Sequence, residues 1–443
     1  MFKPELLAPA GNTEKLRYAL AYGADAVYAG IPKFSLRARE NDFNERKLKK
    51  AIHYTHQLGK KIYLTMNIYP HNRKVKLFTE MLDRVADYAA DGLIMADPGM
   101  ILLARERHPH LNIHLSTQAN TINWQTVRFW QQVGLKRIIL SRELRIDEIK
   151  EIKQQVPEME LETFIHGAIC IAYSGRCLLS NYFNHRDANQ GTCTNACRWQ
   201  YKVHHLKENN TSETSMHSEN RSDYFLEETE RPGSLMPVDE DEHGTYIMNA
   251  KDLSTIEIID QLVDAGIDSL KIEGRTKSVY YLSVITRAYR KVIDACLQQN
   301  EIENHVRDEV YTVANRGYVT GFLQKNPLQD GQNYEQSHAD HQTRRFVGIV
   351  DKYSDEDRMA RVKVRNRFAT GDRLELISPH KTIPFQVQKM TDQEGDVVQV
   401  AHGGGKDIWM SLSEPPSPFA LLRKITEPSN RDVPIDQNDG VRT

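Results

Sequence analysis

The stretch ELLAPAGNTEKLRYALAYGADAVYAG, residues 5–30, decides the fold class. Residues 5–8 and 25–29 are short apolar runs typical of buried strands, and residues 13–22 between them have the spacing of an amphipathic helix. Gly23 follows that helix, at the position where a glycine commonly ends one. The stretch therefore predicts a strand, a helix and a second strand in succession.

The same unit recurs along the N-terminal part of the chain. Further strands are predicted at residues 61–65, 92–96, 112–116, 137–140, 161–166 and 269–273. Helices are predicted at residues 45–58, 75–90, 146–155, 253–265 and 277–299. Strands and helices alternating in this number predict a TIM-like (β/α)8 barrel rather than an open doubly wound sheet. The first turn also lacks the G-x-G-x-x-G phosphate loop typical of dinucleotide-binding open sheets.

Two changes of pattern predict the domain organisation. A cysteine-rich insertion at about 167–244 follows the seventh strand, and its polar run at residues 207–230 is typical of a mobile loop. Because it follows a barrel strand, we expect this insertion over the carboxyl face, where barrel enzymes keep their chemistry. From residue 343 apolar residues alternate with polar ones, which predicts a small β-barrel. The predicted parts are a barrel domain (1–327), a linker (328–342), the β-barrel (343–425) and a disordered tail (426–443).

Composition and charge limit the classes of protein. The 443 residues are 40% hydrophobic and 27% charged, which allows a buried core and argues against general disorder. The formal charge of -2 excludes a chain-wide basic field, so RNA would need a local basic surface. The N-terminal sequence has no signal-peptide pattern, and no apolar run approaches the roughly 20 residues that span a bilayer. We expect a cytoplasmic protein with no membrane partner, whose cysteines are not disulfides.

Four of the five cysteines lie in HGAICIAYSGRCLLSNYFNHRDANQGTCTNACRW, residues 166–199, with the spacing C-x6-C-x15-C-x3-C. We interpret them as the ligands of one metal centre: Cys170, Cys177, Cys193 and Cys197. Four thiolates can hold a four-iron cluster or a structural zinc. Zinc sites usually use two close C-x2–4-C pairs, and only the last two cysteines fit that pattern. The spacing therefore favours iron–sulfur and leaves zinc open.

Nucleophilic catalysis has weaker support in the same segment. His166 lies four residues before Cys170, but no recognised thiol-protease signature surrounds the pair. Ser174 lies in YSGRC and not in the G-x-S-x-G elbow of serine hydrolases. Cys296, in a predicted helix far along the chain, is expected to be a core residue.

Six stretches carry a family resemblance: residues 5–12, 23–30, 162–180, 193–199, 241–253 and 268–278. Among them are ELLAPAGN, GADAVYAG, ETFIHGAICIAYSGRCLLS and CTNACRW. They resemble the collagenase-like peptidase family, whose catalytic type is unknown. Length and the C-terminal β-barrel make the chain similar to the family members that hydroxylate tRNA.

The resemblance implies a function that spacing does not. It implies a four-iron (4Fe–4S) cluster on the four cysteines, and hence the iron–sulfur assembly machinery as a partner. It also implies prephenate-dependent hydroxylation of the tRNA wobble uridine to 5-hydroxyuridine, with prephenate as co-substrate and tRNA as partner. Two alternatives stay open, a collagenase-like peptidase and a non-catalytic RNA-binding protein with structural zinc. Against the first, the chain has no H-E-x-x-H motif.

Side chains that end barrel strands are candidate substrate contacts. The candidates are Arg37, Arg39, Asn67, Gln118, Arg142 and Arg275. Because prephenate is a dicarboxylate and arginine binds carboxylates through paired donors, we expect two or three of the arginines to hold it. His166 is a candidate acid–base group. Glu273 is a further candidate catalytic residue, or a partner for one of the arginines.

A basic strip in the C-terminal domain is a candidate RNA contact. The run RVKVRNRF at residues 361–368 alternates, so its basic side chains are expected on one face of a strand. They are Arg361, Lys363, Arg365 and Arg367. Phosphate backbones bind such strips, and a solvated strand face is the alternative.

Overall fold

The architecture is described from a computed structural model. It describes residues 3–36, 41–169, 172–175, 177, 194, 201–205, 224–228, 235–238, 240–241, 244–245, 251–324 and 343–426. Within these residues the chain divides into two compact units. The first comprises Met1–Leu16, Asp25–Thr276 and Arg316–Ala339, and the second comprises Arg17–Ala24, Lys277–Asn315 and Asp340–Thr443.

Eight parallel strands of the described residues close into a barrel in the first unit. They are β1 Glu5–Ala10, β2 Ala26–Gly30, β3 Lys61–Met66, β4 Gly92–Met95, β5 Ile113–Leu115, β6 Arg137–Ile139, β7 Glu160–Ala168 and β14 Ser269–Ile272. Each of the first seven pairs with the next, and β14 pairs in parallel with both β1 and β7. Most strand residues are buried, as expected of strands covered on both faces. The predicted (β/α)8 class is confirmed.

Helices alternate with these strands. They are α1 Thr13–Ala21, α2 Glu45–Gln57, α3 Asn72–Ala86, α4 Pro98–Arg107, α5 Trp124–Gln132, α6 Ile146–Gln155 and α7 Ile259–Asp264. Asn44, Asp97 and Asn123 cap three of them by accepting a hydrogen bond from a first-turn backbone N–H. Such caps explain why the helices begin directly after short polar turns.

The predicted helix at 253–265 is wrong in its first part. Asp252–Ser254 form strand β13, which pairs antiparallel with the end of β7, and only α7 is helical. β7 extends beyond its pairing with β14, so its last backbone groups need another partner. β13 supplies it, and β15, Tyr318–Val319, pairs in parallel with β13.

The insertion after β7 contains short strands. β8 Tyr201–His205, β9 Tyr224–Glu228 and β10 Leu235–Val238 form an antiparallel sheet. β11 Glu240–Asp241 pairs with β12 Gly244–Thr245. The run at 207–230, predicted to be a mobile loop, therefore includes β9. The rest of that run lies outside the described residues.

Charged side chains form part of the barrel interior. Arg137 Nη1 lies 2.6 Å from Glu5 Oε1 and 3.2 Å from Glu162 Oε2. Lys271 Nζ lies 2.8 Å from the other Glu162 oxygen, and the Glu162 side chain is fully buried. Buried charges persist only when they are paired, so each member of this row requires its neighbours.

The second unit contains an antiparallel sheet. Its helices are α8 Val279–Gln298 and α9 Asn304–Asp308. Its strands are β16 Arg344–Ser354, β17 Met359–Val364, β18 Phe368–Ala369, β19 Arg373–Ile377, β20 Thr382–Gln386, β21 Met390–Thr391, β22 Val400–Ala401, β23 Ile408–Ser411 and β24 Leu421–Ile425. Seven of the described strands form one half-barrel sheet, which confirms the predicted C-terminal β-domain. The predicted linker at 328–342 and the tail after 426 lie outside the described residues.

Candidate active site

The carboxyl ends of the barrel strands, here called the mouth, carry six of the predicted site residues: Asn67, Gln118, Arg142, His166, Glu273 and Arg275. Parallel strands of a barrel share one carboxyl face, so residues that follow them lie on that face. Asn67 follows β3 and Gln118 lies in a single 3-10 turn, Thr117–Ala119, soon after β5. Arg37 and Arg39, predicted after β2, lie outside the described residues.

Tyr28 connects several predicted residues at the mouth. Its hydroxyl donates to the Ile272 carbonyl at 3.0 Å and to Glu273 Oε2 at 3.3 Å. Burial raises the pKa of Tyr28 well above its usual value, and the Glu273 carboxylate raises it further. The charges of Arg275 and Arg142 act in the opposite direction on the same pKa. Glu273, Arg275 and Arg142 therefore share one neighbourhood.

Arg275 is 3% exposed and is positioned by hydroxyl groups. Its Nη1 lies 3.2 Å from Thr65 Oγ1, and its Nη2 lies 3.5 Å from Ser35 Oγ. Gly30 makes room for it, because a Cβ at that position would lie 2.7 Å from Arg275 Nη1. The absence of a side chain at Gly30 and the hydroxyl groups of Ser35 and Thr65 therefore accommodate the Arg275 guanidinium group between β2, β3 and the end of β14.

Arg142 follows β6 and reaches towards β7. Its Nη1 donates to the Ala168 carbonyl at 2.9 Å, and its guanidinium carbon lies 4.1 Å from the centre of the Phe164 ring. A cation over an aromatic face is favourable, and more so when it is shielded from water. The stacking fixes the plane of the guanidinium group beside Tyr28.

His166 is completely buried at the junction of three strands. Its backbone pairs with Ile272 of β14 and with Ser254 of β13. Its Nε2 lies 3.4 Å from the Tyr318 hydroxyl, and the two rings are 5.1 Å apart. Burial among strands makes this histidine part of the mouth's inner wall.

A chain of amides with a fixed direction crosses from β3 to β5. Leu36 N–H donates to Asn67 Oδ1 at 3.2 Å, which leaves Asn67 Nδ2 to donate to Gln118 Oε1 at 2.8 Å. Ser116 Oγ also donates to Gln118 Oε1, at 3.1 Å. The last group is Gln118 Nε2, a buried donor with no acceptor among the described residues. Because a backbone N–H begins the chain, neither amide can be reversed.

The segment 172–175 packs against the ends of β5 and β6. Ser174 N donates to Glu143 Oε1 at 2.9 Å, and the Ser174 hydroxyl lies 3.2 Å from Glu143 Oε2. Asn120 Nδ2 donates to the Ser174 carbonyl at 3.4 Å. Gly175 lies so close to Gln118 that a Cβ would be 2.6 Å from its Cα. The chain leading to Cys177 is therefore held on the mouth.

Sequence reasoning missed two residues that hold this segment. The local sequence indicates no role for Glu143 or Asn120, and it presents Ser174 only as a candidate nucleophile. Glu143 lies in SREL, directly after β6, the same kind of strand-end position that selected Arg142. Its position after a strand predicts that Glu143 lies at the mouth. The local sequence does not predict its hydrogen bonds to Ser174, which is 31 residues away.

The described residues include one of the four predicted metal ligands. Cys177 lies two residues after the docked segment, and Cys170, Cys193 and Cys197 lie outside the described residues. The docking of residues 172–175 brings the second cysteine of the motif to the mouth. The ligand set itself stays a prediction.

The basic strip of the second unit is partly neutralised. Arg361 and Lys363 both pair with Asp351, the latter pair at 3.1 Å. Their hydrogen bonds lower the pKa of Asp351. β17 ends at Val364, so Arg365 and Arg367 follow the strand and are exposed. RNA binding by this strip stays a prediction.

The fold and the mouth define an α/β-barrel protein with a candidate active site at the carboxyl face and an antiparallel half-barrel domain. The model of peptidase family U32 matches residues 11–333, and that of the peptidase family U32 C-terminal domain matches residues 342–423. The chain therefore belongs to peptidase family U32.

Relatives at high identity cover nearly the whole chain. The chain is 47% identical over 430 residues to tRNA hydroxylation protein P of Escherichia coli. The aligned region covers 94% of this chain and 95% of the Escherichia coli protein. The chain is 46% identical over 432 residues to the protein of the same name from Haemophilus influenzae, with 93% and 94% covered. A Porphyromonas gingivalis protein named collagenase is 28% identical over 415 residues, with 90% and 92% covered.

A separate property concerns membranes. Among the helices of the described residues, none has the length and apolar character needed to cross a bilayer.

Proposed function

We propose that this protein is a tRNA-modifying enzyme that hydroxylates the wobble uridine of tRNA to 5-hydroxyuridine. The observation that carries the proposal is full-length similarity to two proteins named tRNA hydroxylation protein P, at 47% and 46% identity. The gathering of the buried Arg275 and the half-buried Arg142 and Glu273 at the mouth supports it, since barrel enzymes keep their reactive groups at that face.

A four-iron cluster on Cys170, Cys177, Cys193 and Cys197 is the second part of the proposal. Four thiolates suit such a cluster, and zinc is the competing occupant. The hold of Glu143 on Ser174, three residues before Cys177, supports a location beside the mouth. When bound, the cluster would supply electron transfer or Lewis acidity there. The iron–sulfur assembly machinery is the partner that this proposal requires.

Prephenate is the proposed co-substrate, and arginines are its proposed contacts. Arg142 and Arg275 are the two within the described residues, and guanidinium groups bind carboxylates through paired N–H donors. Their common influence on the pKa of Tyr28 supports a shared site. Arg37 and Arg39 stay predicted as further contacts.

Neutral and acid–base groups complete the proposed site. Glu273 accepts the Tyr28 hydrogen bond, and the raised pKa of Tyr28 keeps that phenol protonated near neutral pH. His166 is the proposed proton carrier, since imidazole is the side chain suited to that task near neutrality. Asn67 and Gln118 are the proposed contacts to the uridine base, because Gln118 Nε2 is a buried donor that a base carbonyl oxygen would satisfy.

The test combines metal analysis with nucleoside analysis. We expect anaerobically purified protein to be brown and to contain about four iron and four sulfide per chain. Cys177→Ser should lose the colour, and a deletion strain carrying it should lack 5-hydroxyuridine by mass spectrometry of tRNA nucleosides. Prephenate omission should stop the reaction with purified protein. Normal 5-hydroxyuridine in the deletion strain, without a second pathway, would overturn the proposal.

The peptidase alternative is favoured by one observation, the similarity to a protein named collagenase at 28% identity. Within the described residues, the Ser174 hydroxyl has Glu143 and the Arg142 backbone as neighbours and no imidazole. Triad nucleophiles require such a base. Release of peptides from gelatin by the metal-loaded protein, lost in the Cys177 variant, would support this alternative. Colourless protein with one zinc and no tRNA product would instead support the RNA-binding alternative.

A further inference from the structure

The second unit contains a row of alternating charges, in which Arg287 and Arg423 are buried and the others are partly buried. Arg287 Nη2 and Arg423 Nη1 donate to the two oxygens of Glu309, at 2.8 and 2.7 Å. Arg423 Nε also donates to Glu375 Oε2 at 2.6 Å, and Arg344 Nε donates to the same oxygen at 3.0 Å. The row begins and ends with an arginine, so three positive charges face two negative ones. Each carboxylate therefore accepts hydrogen bonds from two arginines of the row.

Four members of this row, Glu309, Arg344, Glu375 and Arg423, line a cavity of about 530 Å³ in the same unit. That volume lies within the range of roughly 300–1,000 Å³ typical of ligand sites. Lys291 of α8, His305 of α9 and His380 line other walls. In the part of the chain that the structure describes, no carboxylate lies within 4 Å of the Lys291 ammonium group. A cation on the wall is thus available to a ligand.

The opposite charges near the cavity do not cancel this excess. Lys381 is engaged by Glu414 at 3.0 Å, and Asp308 is the remaining acidic residue on the wall. Partial loss of hydration lowers the pKa of Lys291 and the nearby Arg287 lowers it further, whereas the weaker influences of Glu309 and Glu303 raise it. An anion beside the Lys291 ammonium group would stabilise its charged form, so an unpaired cation on this wall favours an anionic ligand over a cationic one.

We propose that this cavity binds a phosphate group, with Lys291 and Arg344 as its cationic contacts. A tetrahedral phosphate has several acceptor oxygens and suits donors that come from different elements, as Lys291 of α8 and Arg344 of β16 do. The phosphate belongs either to the tRNA backbone, which rests on the proposed function, or to a small phosphorylated molecule. The site lies apart from the strip at residues 361–367, two of whose side chains are occupied by Asp351.

Charge removal at Lys291 tests the proposal. Lys291→Ala, and Lys291→Gln as a milder second variant, are compared with Lys352→Ala, an exposed lysine of β16 outside the cavity wall. Fluorescence anisotropy gives tRNA affinity at several salt concentrations. We expect the Lys291 variants to weaken binding several-fold for all tRNA sequences and to reduce the slope of log affinity against log salt by about one. Lys352→Ala should match the wild type.

A second measurement distinguishes the source of the phosphate. Phosphorus NMR with inorganic phosphate should show binding that the Lys291 variants lose. Loss of phosphate binding with unchanged tRNA affinity assigns the site to a small phosphorylated molecule. Unchanged phosphate binding and unchanged tRNA affinity in folded Lys291 variants overturns the proposal. Hydroxylation is assayed separately, so a wild type that fails to hydroxylate tRNA refutes the proposed function and leaves the phosphate result standing.

Discussion

Gln118 ends a hydrogen-bond chain whose direction is fixed, and this makes its role testable. Gln118→Glu keeps an oxygen for the Asn67 and Ser116 donors but replaces the Nε2 donor with an acceptor. A carbonyl ligand would then meet an unpaired acceptor, which costs about 1–3 kcal/mol. We expect 5-hydroxyuridine formation to fall roughly ten-fold or more. Mass spectrometry of tRNA nucleosides from a complemented deletion strain measures this.

The control for that change is Ser116→Ala. It removes a donor to Gln118 Oε1 but leaves Asn67 to hold the amide and leaves Nε2 in place. We expect near wild-type 5-hydroxyuridine. Equal losses in both variants, with unchanged melting temperatures, would contradict a role for Nε2 in base contact.

At the residue scale, sequence reasoning worked where position alone was enough. Asn67, Gln118 and Arg142 follow barrel strands, and the order of strands and helices predicts that placement. Contacts between distant residues were not predictable in this way. The pairing of Asp351 with Arg361 and Lys363 reduces the charge of a strip that the alternating pattern presents as free. Likewise, nothing local to Ser174 indicates that Glu143 holds it.

At the element scale, the docking of segment 172–175 depends on Gly175. Its φ is +74°, and a Cβ there would lie 2.6 Å from backbone atoms of Gln118, which cannot move cheaply. Gly175→Ala should therefore displace the segment that leads to Cys177, at a cost of about 1–3 kcal/mol. We expect less visible absorbance per chain from the proposed cluster and less of the proposed product, 5-hydroxyuridine. Anaerobic absorption spectra and nucleoside analysis measure both.

Gly59→Ala is the matched control for the backbone strain. Gly59 has a φ of +65° and no atom within 4 Å of an added Cβ. Gly59→Ala therefore introduces the backbone strain of a positive φ, but its Cβ meets no neighbouring atom. We expect a small loss of stability with normal cluster content. If both variants behave alike, the docking of the segment does not matter for the metal centre.

The elements that sequence predicted well are those defined by their own periodicity. The eight barrel strands follow from short apolar runs that alternate with amphipathic helices. The local sequence does not predict β13, because that strand forms by pairing with the end of β7, which is distant in the sequence. Residues 253–265 are apolar enough to form a helix locally. The unpaired backbone groups at the end of β7 nevertheless draw residues 252–254 into a strand, because this pairing satisfies them.

At the scale of the whole molecule, the near-neutral total charge conceals locally concentrated charges. The formal charge is -2, yet each compact unit contains a row of buried ion pairs. Composition alone predicts neither row, because it records the number of charges and not their neighbours. Such rows make the stability of the molecule depend on pH, and Glu309 is the member whose contribution has the clearest sign.

Burial alone would raise the pKa of Glu309, but Arg287 and Arg423 outweigh it and lower the pKa below its usual value. A carboxylate with a lowered folded-state pKa stabilises the fold above its unfolded pKa, about 4.3, and loses that contribution as pH falls through the folded value. Glu309→Gln should therefore cost about 3 kcal/mol at pH 7 and progressively less below about pH 4. Calorimetric unfolding at several pH values measures the difference. Glu394→Gln, which removes an exposed pair with Lys406, should cost under about 0.5 kcal/mol throughout. A pH-independent cost of Glu309→Gln would contradict ionisation as the source of the stabilisation.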